Sequence, residues 1–438
     1  MEIIIVGAGI GGLSASLALA HSPSSQPHKI TIIESASVLA EIGAGIQLTP
    51  NATRCFFKWG LGPSLLAHSV LPATFNVRRD TSDELLSGVP LSTFEEQYSG
   101  PYLVVHRADL HRIMHEHAVE KGVKIRLGSR VTTYDFDGGE ITLASGEVIK
   151  ADLIVACDGI KSFARGKFLG TGAEEVPNQW IEPTGWAAYR LIAPVSKLAE
   201  NPLTVELSTS HGANCWSGAM RSTMTYLVKD ATALNIVLSH PDNVDTSSWT
   251  SEQYKAEIRK TFADVSPTVQ ALLEATNPEV QNWPVYQVKT LPKWVSETGK
   301  FVMMGDAAHG MAFYLSMGVS LAVEDGESLA VCIEKMESEG AGSESAGLKH
   351  AMHIFEYVRK RRAEAVRDAS LHAGKMLHLV PGEARDIRDR AMSGDGRSGE
   401  DDKRERFFVE KTAYGLADGQ IRDWCYGYDV RKEVEKEW

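Results

Sequence analysis

The feature that most constrains this chain lies in its first 34 residues. Ile3-Ile4-Ile5-Val6 is a β-branched run of the kind that forms a parallel strand buried on both faces. It passes directly into Gly7-Ala8-Gly9-Ile10-Gly11-Gly12, a G-x-G-x-x-G, and then into Leu13 to His21, rich in Ala and Leu, which reads as a helix. Ser22 to Pro27 supplies a loop, Lys29 to Ile33 a second strand, and Glu34 ends it. Each part has a physical job in binding a dinucleotide. Gly7 permits the tight turn, Gly9 lets the backbone approach a pyrophosphate, and Gly12 lets helix and strand pack closely. The helix N-terminus offers free N–H groups to the phosphates. Glu34 stands where a carboxylate accepts hydrogen bonds from the adenosine ribose hydroxyls. An acidic residue there disfavours a 2′-phosphate, so FAD and NAD remain and NADP at this turn does not.

The same stretch is apolar enough to imitate a membrane span or a signal sequence. The acidic flank Met1-Glu2, the four glycines and the second strand that follows favour a buried βαβ unit instead. With 438 residues, 43% hydrophobic and 23% charged, the composition is that of a globular protein with a large core. A net charge of −12 argues against nucleic-acid or anionic-membrane partners. Cys55, Cys157, Cys215, Cys332 and Cys425 are scattered and odd in number, which suggests reduced thiols, a cytoplasmic location and no structural metal.

Two further strand-turn-helix units follow. Ala151 to Arg165 contains a strand, Leu153 to Ala156, then Cys157-Asp158-Gly159 and a helix start at Ser162. Phe301 to Met304 is another apolar strand, ending in Gly305-Asp306-Ala307-Ala308-His309, with a helix from about Gly318 to Met336. Together with Glu41 to Leu48, Pro50-Asn51-Ala52, His106 to Leu110 and Val323-Glu324-Asp325, this ordered set resembles the single-component FAD-dependent aromatic hydroxylases, the para-hydroxybenzoate and salicylate hydroxylase group. The likeness runs to about residue 335. Trp424 to Asp429 is similar to the tails of fungal salicylate hydroxylase-like members.

The resemblance implies an α/β fold: a Rossmann-like FAD-binding domain interleaved with a mainly antiparallel β-sheet substrate domain, plus C-terminal helices. The expected division gives residues 1–75, 105–177 and 286–345 to the FAD domain, 76–104 and 178–285 to the substrate domain, and 346–438 to the helical region. It implies FAD as cofactor, NAD(P)H as transient reductant, molecular oxygen as co-substrate and a small aromatic substrate, hydroxylated through a flavin C4a-hydroperoxide. Gly7, Gly9, Gly12, Glu34, Gly45, Arg107, Asp158, Asp306 and Gly318 would bind the cofactor. Arg107 would meet the diphosphate or ribityl region, which suits an arginine fork, and Asp306 would accept from the ribityl hydroxyls. Arg190 and Tyr226 are the candidates for catalysis at the substrate ring. A monomer or homodimer is expected.

Between the motifs, Gly185 to Val195 contains Trp186, Tyr189 and Arg190, and Thr204 to Leu207, Met224 to Val228 and Leu234 to Leu238 read as strands, so that residues of about 178–285 look like an antiparallel sheet. Thr250 to Ala275 reads as one or two helices broken near Pro267, Gly340 to Gly347 as a loop, and Phe355 to Met376 as a basic helix whose arginines are solvated or anchored to acidic neighbours. Glu383 to Lys411, crowded with charge, reads as partly mobile. Four positions depart from the family pattern: Phe313, Met317 and Ser320 after the Gly-Asp motif, and Ser222 where a histidine is common. All four face flavin and substrate in relatives, so an atypical pocket is expected. Other readings of the set are an oxidase or dehydrogenase, oxidative dearomatisation or epoxidation on the same fold, and a flavin-free binding protein.

Overall fold

The computed structural model describes residues 1–23, 27–39, 45–170, 179–246, 248–277, 279–340, 344–393 and 417–438. Part of the Ser22–Pro27 loop, Glu41 to Ala44 and most of Glu383 to Lys411 lie outside them.

The first layer is a five-stranded parallel sheet in the order Phe301–Met303, Leu153–Ala156, Glu2–Val6, Lys29–Ile33, Lys124–Arg126. Its central strands are almost wholly buried, which explains the unbroken apolar runs. The helix Ile10–His21 follows the first strand and packs on the helix Gly318–Ser338. Gly326 allows that approach, since a Cβ there would stand 2.8 Å from the Ser14 carbonyl oxygen. The N-terminal apolar stretch is therefore a strand and a core helix, and no helix among the described residues is long and apolar enough to cross a membrane.

The second layer is a seven-stranded sheet in the order Gln281–Val288, Ile181–Pro194, Ala233–Pro241, Arg221–Val228, Gly212–Gly218, Thr74–Arg79, Leu85–Pro90. It is antiparallel except where Gly212–Gly218 runs parallel to Thr74–Arg79. Two stretches of chain far apart in sequence thus build one sheet. Two short sheets complete the strands, one of them pairing Gly45–Leu48 with Leu103–His106.

Two local expectations are corrected. Thr204 to Leu207 is no strand: Val205–Thr209 is a single helical turn, with the Thr204 hydroxyl donating to the Leu198 carbonyl at 2.8 Å. Gly340 to Gly347 is not wholly a loop, because a 34-residue helix begins at Glu344 and runs to Leu377. Within Glu383 to Lys411, Glu383–Met392 is a helix. The break near Pro267 divides Ser251–Thr261 from Pro267–Glu274, with Thr250 and Ser266 capping the two helices.

Candidate active site

One face of the seven-stranded sheet looks towards the parallel layer, and its register sorts that face into rungs two residues apart along the strands. The first rung aligns Ile192, Asn235 and Tyr226. The second aligns Arg190, Val237, Met224, Cys215 and Val77. The third aligns Ala188, Ser239, Ser222, Ser217 and Arg79.

Between this face and the parallel sheet lies a cavity of about 380 Å³. Gly9, Gly11, Arg107, Gly159, Gly305 and Asp306 line it from the parallel side. Gly45, Gln47, Phe75, Arg190, Met224 and Tyr226 line it from the other, and Phe313, Tyr314, Gly318 and Val319 from the loop and helix after the Gly-Asp motif. Seven of the candidate residues thus meet in one space: Gly9, Gly45, Arg107, Asp306, Gly318, Arg190 and Tyr226. Gly7, Gly12, Glu34 and Asp158 stand behind its wall.

Gly7 has φ +107°, and a Cβ on Gly12 would lie 2.0 Å from the Gly7 carbonyl oxygen, so strand and helix meet only without side chains there. Gly9 is different: nothing lies within 4 Å of where its Cβ would be. The space in front of it is open. Glu34 closes the turn from below, accepting from the backbone N–H of Ala8 at 2.9 Å and of Ala36 at 2.7 Å. Asp158 accepts from the Ala164 N–H at 2.9 Å through Oδ2, while its buried Oδ1 has no partner; burial pushes its carboxyl up. Asp306 is exposed to the cavity yet enclosed by the fold. That enclosure raises its carboxyl, opposed by His309, Arg107 and Arg165.

Arg190 presents a guanidinium whose Nε is buried without a hydrogen-bond partner, 5.5 Å from the ring centre of Trp283. Burial lowers its pKa, partly offset by Tyr226. A buried cation with unmet donors is a place for an anionic or strongly accepting oxygen. Tyr226 lines the cavity, and its hydroxyl donates to the Gly45 carbonyl at 2.6 Å. Asn235 Oδ1 accepts from the Gly45 N–H at 2.9 Å. A Cβ on Gly45 would lie 2.5 Å from Tyr226 Cε2, which accounts for that glycine.

Of the four departures, Phe313 and Ser222 line the cavity, whereas Met317 and Ser320 do not. The expectation that all four face the ligands is corrected. Met317 and Ser320 are buried against Thr49, whose hydroxyl lies 2.6 Å from the Ser320 hydroxyl.

Sequence reasoning missed the supports. Arg165, fully buried, donates to the carbonyls of Ala307 at 2.8 Å and Ile160 at 2.6 Å, tying the two strand-turn-helix units together. Asp325 accepts from the Gly305 N–H at 2.9 Å, His309 Nε2 at 2.6 Å and Arg359 Nε at 2.8 Å. Burial alone would raise its pKa, but His309 and Arg359 outweigh that and hold it at about 2. Arg359 also pairs with Glu324 at 2.8 Å, and Arg362 binds the carbonyls of Trp424 and Cys425, each at 3.0 Å. Arg359, Arg362 and Arg367 of the long helix are therefore inward anchors, whereas Arg361 is exposed. His309 and Glu324-Asp325 stood among the quoted motifs, but their partners lie far away in sequence.

The donors suit a dinucleotide carrying a flavin. The helices Ile10–His21 and Gly318–Ser338 begin at this cavity with no side-chain cap, leaving first-turn N–H groups for phosphate or ring oxygens. The Gly9 cradle, Arg107 and the Asp306 carboxylate supply the rest. Among the described residues no His/Cys/Asp/Glu group is arranged to hold a metal ion.

A family described as "FAD binding domain" matches residues 1–369. The chain belongs to that family. It is 30% identical over 436 residues to "FAD-dependent monooxygenase OpS4" of Beauveria bassiana, covering 98% of this chain and 95% of that one. It is also 30% identical over 397 residues to "3-hydroxybenzoate 6-hydroxylase 1" of Aquipseudomonas alcaligenes, covering 90% and 93%. The fold matches the solved "Salicylate hydroxylase substrate complex" with a TM-score of 0.75 at 21% identity, over 100% of this chain and 98% of that one. The protein is an FAD-dependent monooxygenase of the aromatic hydroxylase type, and FAD is its cofactor.

Proposed function

We propose that this FAD-dependent monooxygenase takes its electrons from NADH or NADPH and places one atom of molecular oxygen on an electron-rich aromatic ring, phenolic or salicylate-like. One observation carries the reading: a single cavity is shared by the Gly9 turn, Arg107 and Asp306 on one side and by Arg190 and the sheet face on the other.

FAD, when bound and reduced, supplies the chemistry that activates oxygen. The residues of this chain supply position and environment. The Gly7–Gly12 turn and its helix receive the diphosphate, Glu34 the ribose, Arg107 and Asp306 the diphosphate–ribityl region, and the Gly318 helix N-terminus the electron-rich edge of the ring. Gly45 lets its strand lie flat on the Tyr226 ring, and Asp158 shapes the turn that carries Gly159. Arg190 fixes an acidic oxygen of the substrate and favours its ionised form, which makes the ring more nucleophilic. Phe75, Met224, Val237 and Phe313 form an apolar wall that excludes water around the ring. Tyr226 acts as a positioning residue.

Purified protein should be yellow and should consume NAD(P)H and oxygen when given a suitable phenol, with the hydroxylated product seen by mass spectrometry. Anaerobic reduction of the flavin by the aromatic compound alone, without NAD(P)H, would show an oxidase or dehydrogenase and overturn this reading.

A further inference from the structure

The third rung of the sheet is unlike the other two. Ser239, Ser222 and Ser217 sit side by side on adjacent strands. Ser222 and Ser239 line the cavity, and neither is explained by cofactor binding. Each is backed by one aromatic group from outside the sheet. Ser222 Oγ lies 2.9 Å from His378 Nε2, and Ser239 Oγ lies 2.9 Å from the Tyr314 hydroxyl. A serine hydroxyl offers one donor and two acceptor sites, so one partner leaves capacity on both.

Packing fixes the backing groups. His378 is 2% exposed, stacked on Trp186 at 4.0 Å and edge-on to Tyr314 at 5.3 Å. Its Nδ1 is buried without a partner, so Nε2 facing Ser222 is the ring's polar contact. Burial and the nearby Arg388 push His378 down to about 3, so the ring is neutral across the working pH range. Arg388 itself is paired with Asp389 at 2.5 Å and donates to the Met376 carbonyl at 2.6 Å and to Ser217 Oγ at 2.8 Å, behind the rung. The groups that line this end of the cavity, Ser222, Ser239 and Tyr314, are therefore polar and neutral, with the charges of Arg79, Arg388 and Asp389 held outside the lining. The cation, Arg190, sits one rung away, about 7 Å along the strands, and one or two strands across at about 4.8 Å each. Between them lie the apolar side chains of Val237 and Met224.

We propose that Ser222 and Ser239, positioned by His378 and Tyr314, form a neutral oxygen-binding end of the substrate pocket. The substrate then carries a hydroxyl or carbonyl oxygen across the ring from the acidic group held by Arg190. This selects polyoxygenated aromatic acids over their monohydroxy counterparts. The proposal rests on the aromatic-hydroxylase reading above and names the substrate class of that same site.

The test uses the FAD-loaded enzyme, titrated with two probes and followed by flavin absorbance. One probe is 2,4-dihydroxybenzoate; the other is salicylate, the same ring without the 4-hydroxyl. The wild type should bind the dihydroxy acid about tenfold more tightly, the factor one such hydrogen bond gives. In the Ser222→Ala, Ser239→Ala double variant the preference should fall to within about twofold while salicylate binding is unchanged. His378→Phe, which keeps the stacking, should also reduce the preference without weakening salicylate. A wild type with no preference, or a preference that survives in the double variant, overturns the proposal. The same wild-type protein is assayed for product with NADH. Turnover of phenols without the preference removes only the serine end, whereas hydroxylation of no phenol removes the functional reading with it.

Discussion

Arg359 is the cation on which the floor of the cofactor cavity depends. It is fully buried, 2.8 Å from both Glu324 and Asp325, and those carboxylates are themselves buried. Replacing it with leucine leaves two enclosed anions. Breaking such a pair from one side typically costs about 3–5 kcal/mol. Arg362 remains 3.4 Å from Glu324 and His309 2.6 Å from Asp325, which places Arg359→Leu at the lower end, about 3 kcal/mol. At roughly 2 cal/mol/K of unfolding entropy per residue, a chain of this length loses about 1 °C of Tm per kcal/mol, so a fall of about 3 °C is expected.

The pH dependence separates this cause from a packing defect. Asp325 is held at about 2 against an ordinary 3.8. Its folded form is the more acidic, so the unfolded chain binds more protons as pH falls. This contribution, on the order of 2 kcal/mol, is complete above about pH 5 and is lost as pH falls from there through about 2. In Arg359→Leu the Asp325 carboxyl loses a charge that opposes its burial, so it titrates upward and protonates in milder acid, which relieves the strain. The gap in Tm between wild type and variant, measured at saturating FAD, should therefore narrow between about pH 8 and about pH 5. A fall below about 1 °C, or a gap that does not change with pH, would refute the ion-cluster reasoning.

Three further outcomes follow from the geometry. Gly9→Leu should leave the thermal stability of the FAD-free protein within about 1 °C, because its side chain enters open space, yet abolish flavin retention on gel filtration; Gly12→Ala, blocked by the Gly7 carbonyl, should lose both. Tyr226→Phe strips the donor from the Gly45 carbonyl and should cost about 1–3 kcal/mol in urea unfolding while kcat changes less than about threefold; a larger loss of kcat would make the hydroxyl catalytic. Arg190→Met should weaken salicylate binding about 10- to 100-fold, as expected for a hydrogen-bonded charge, with phenol binding unchanged, and an equal loss for both ligands would show that Arg190 only shapes the pocket.

The parts of the fold written in local sequence were legible. Lys29–Ile33 and Leu153–Ala156 match their expected bounds because a buried parallel strand needs an unbroken apolar run. Thr204 to Leu207 misled because two apolar residues at alternate positions fit a helical turn as well as a strand. The supports of the site were illegible for a different reason: they are pairings across long separations. Nothing near Arg359 announces Asp325 as its partner, and nothing near His378 announces Ser222, since those contacts exist only once the long helix has been laid across both sheets. Ser222 read as a loss in one dimension, and in three dimensions a histidine stands behind it.

The carbonyls of Trp424, Cys425, Tyr426 and Tyr428 are gripped by Arg362 and Arg54, and Arg362 also touches the ion cluster under Gly305. During synthesis the strands that greet the cofactor leave the ribosome long before this closing latch does. Maturation of the flavin cradle is thus tied to a late-arriving stretch of chain, and a nascent protein halted short of Trp424 would expose charged groups that the finished enzyme keeps dry.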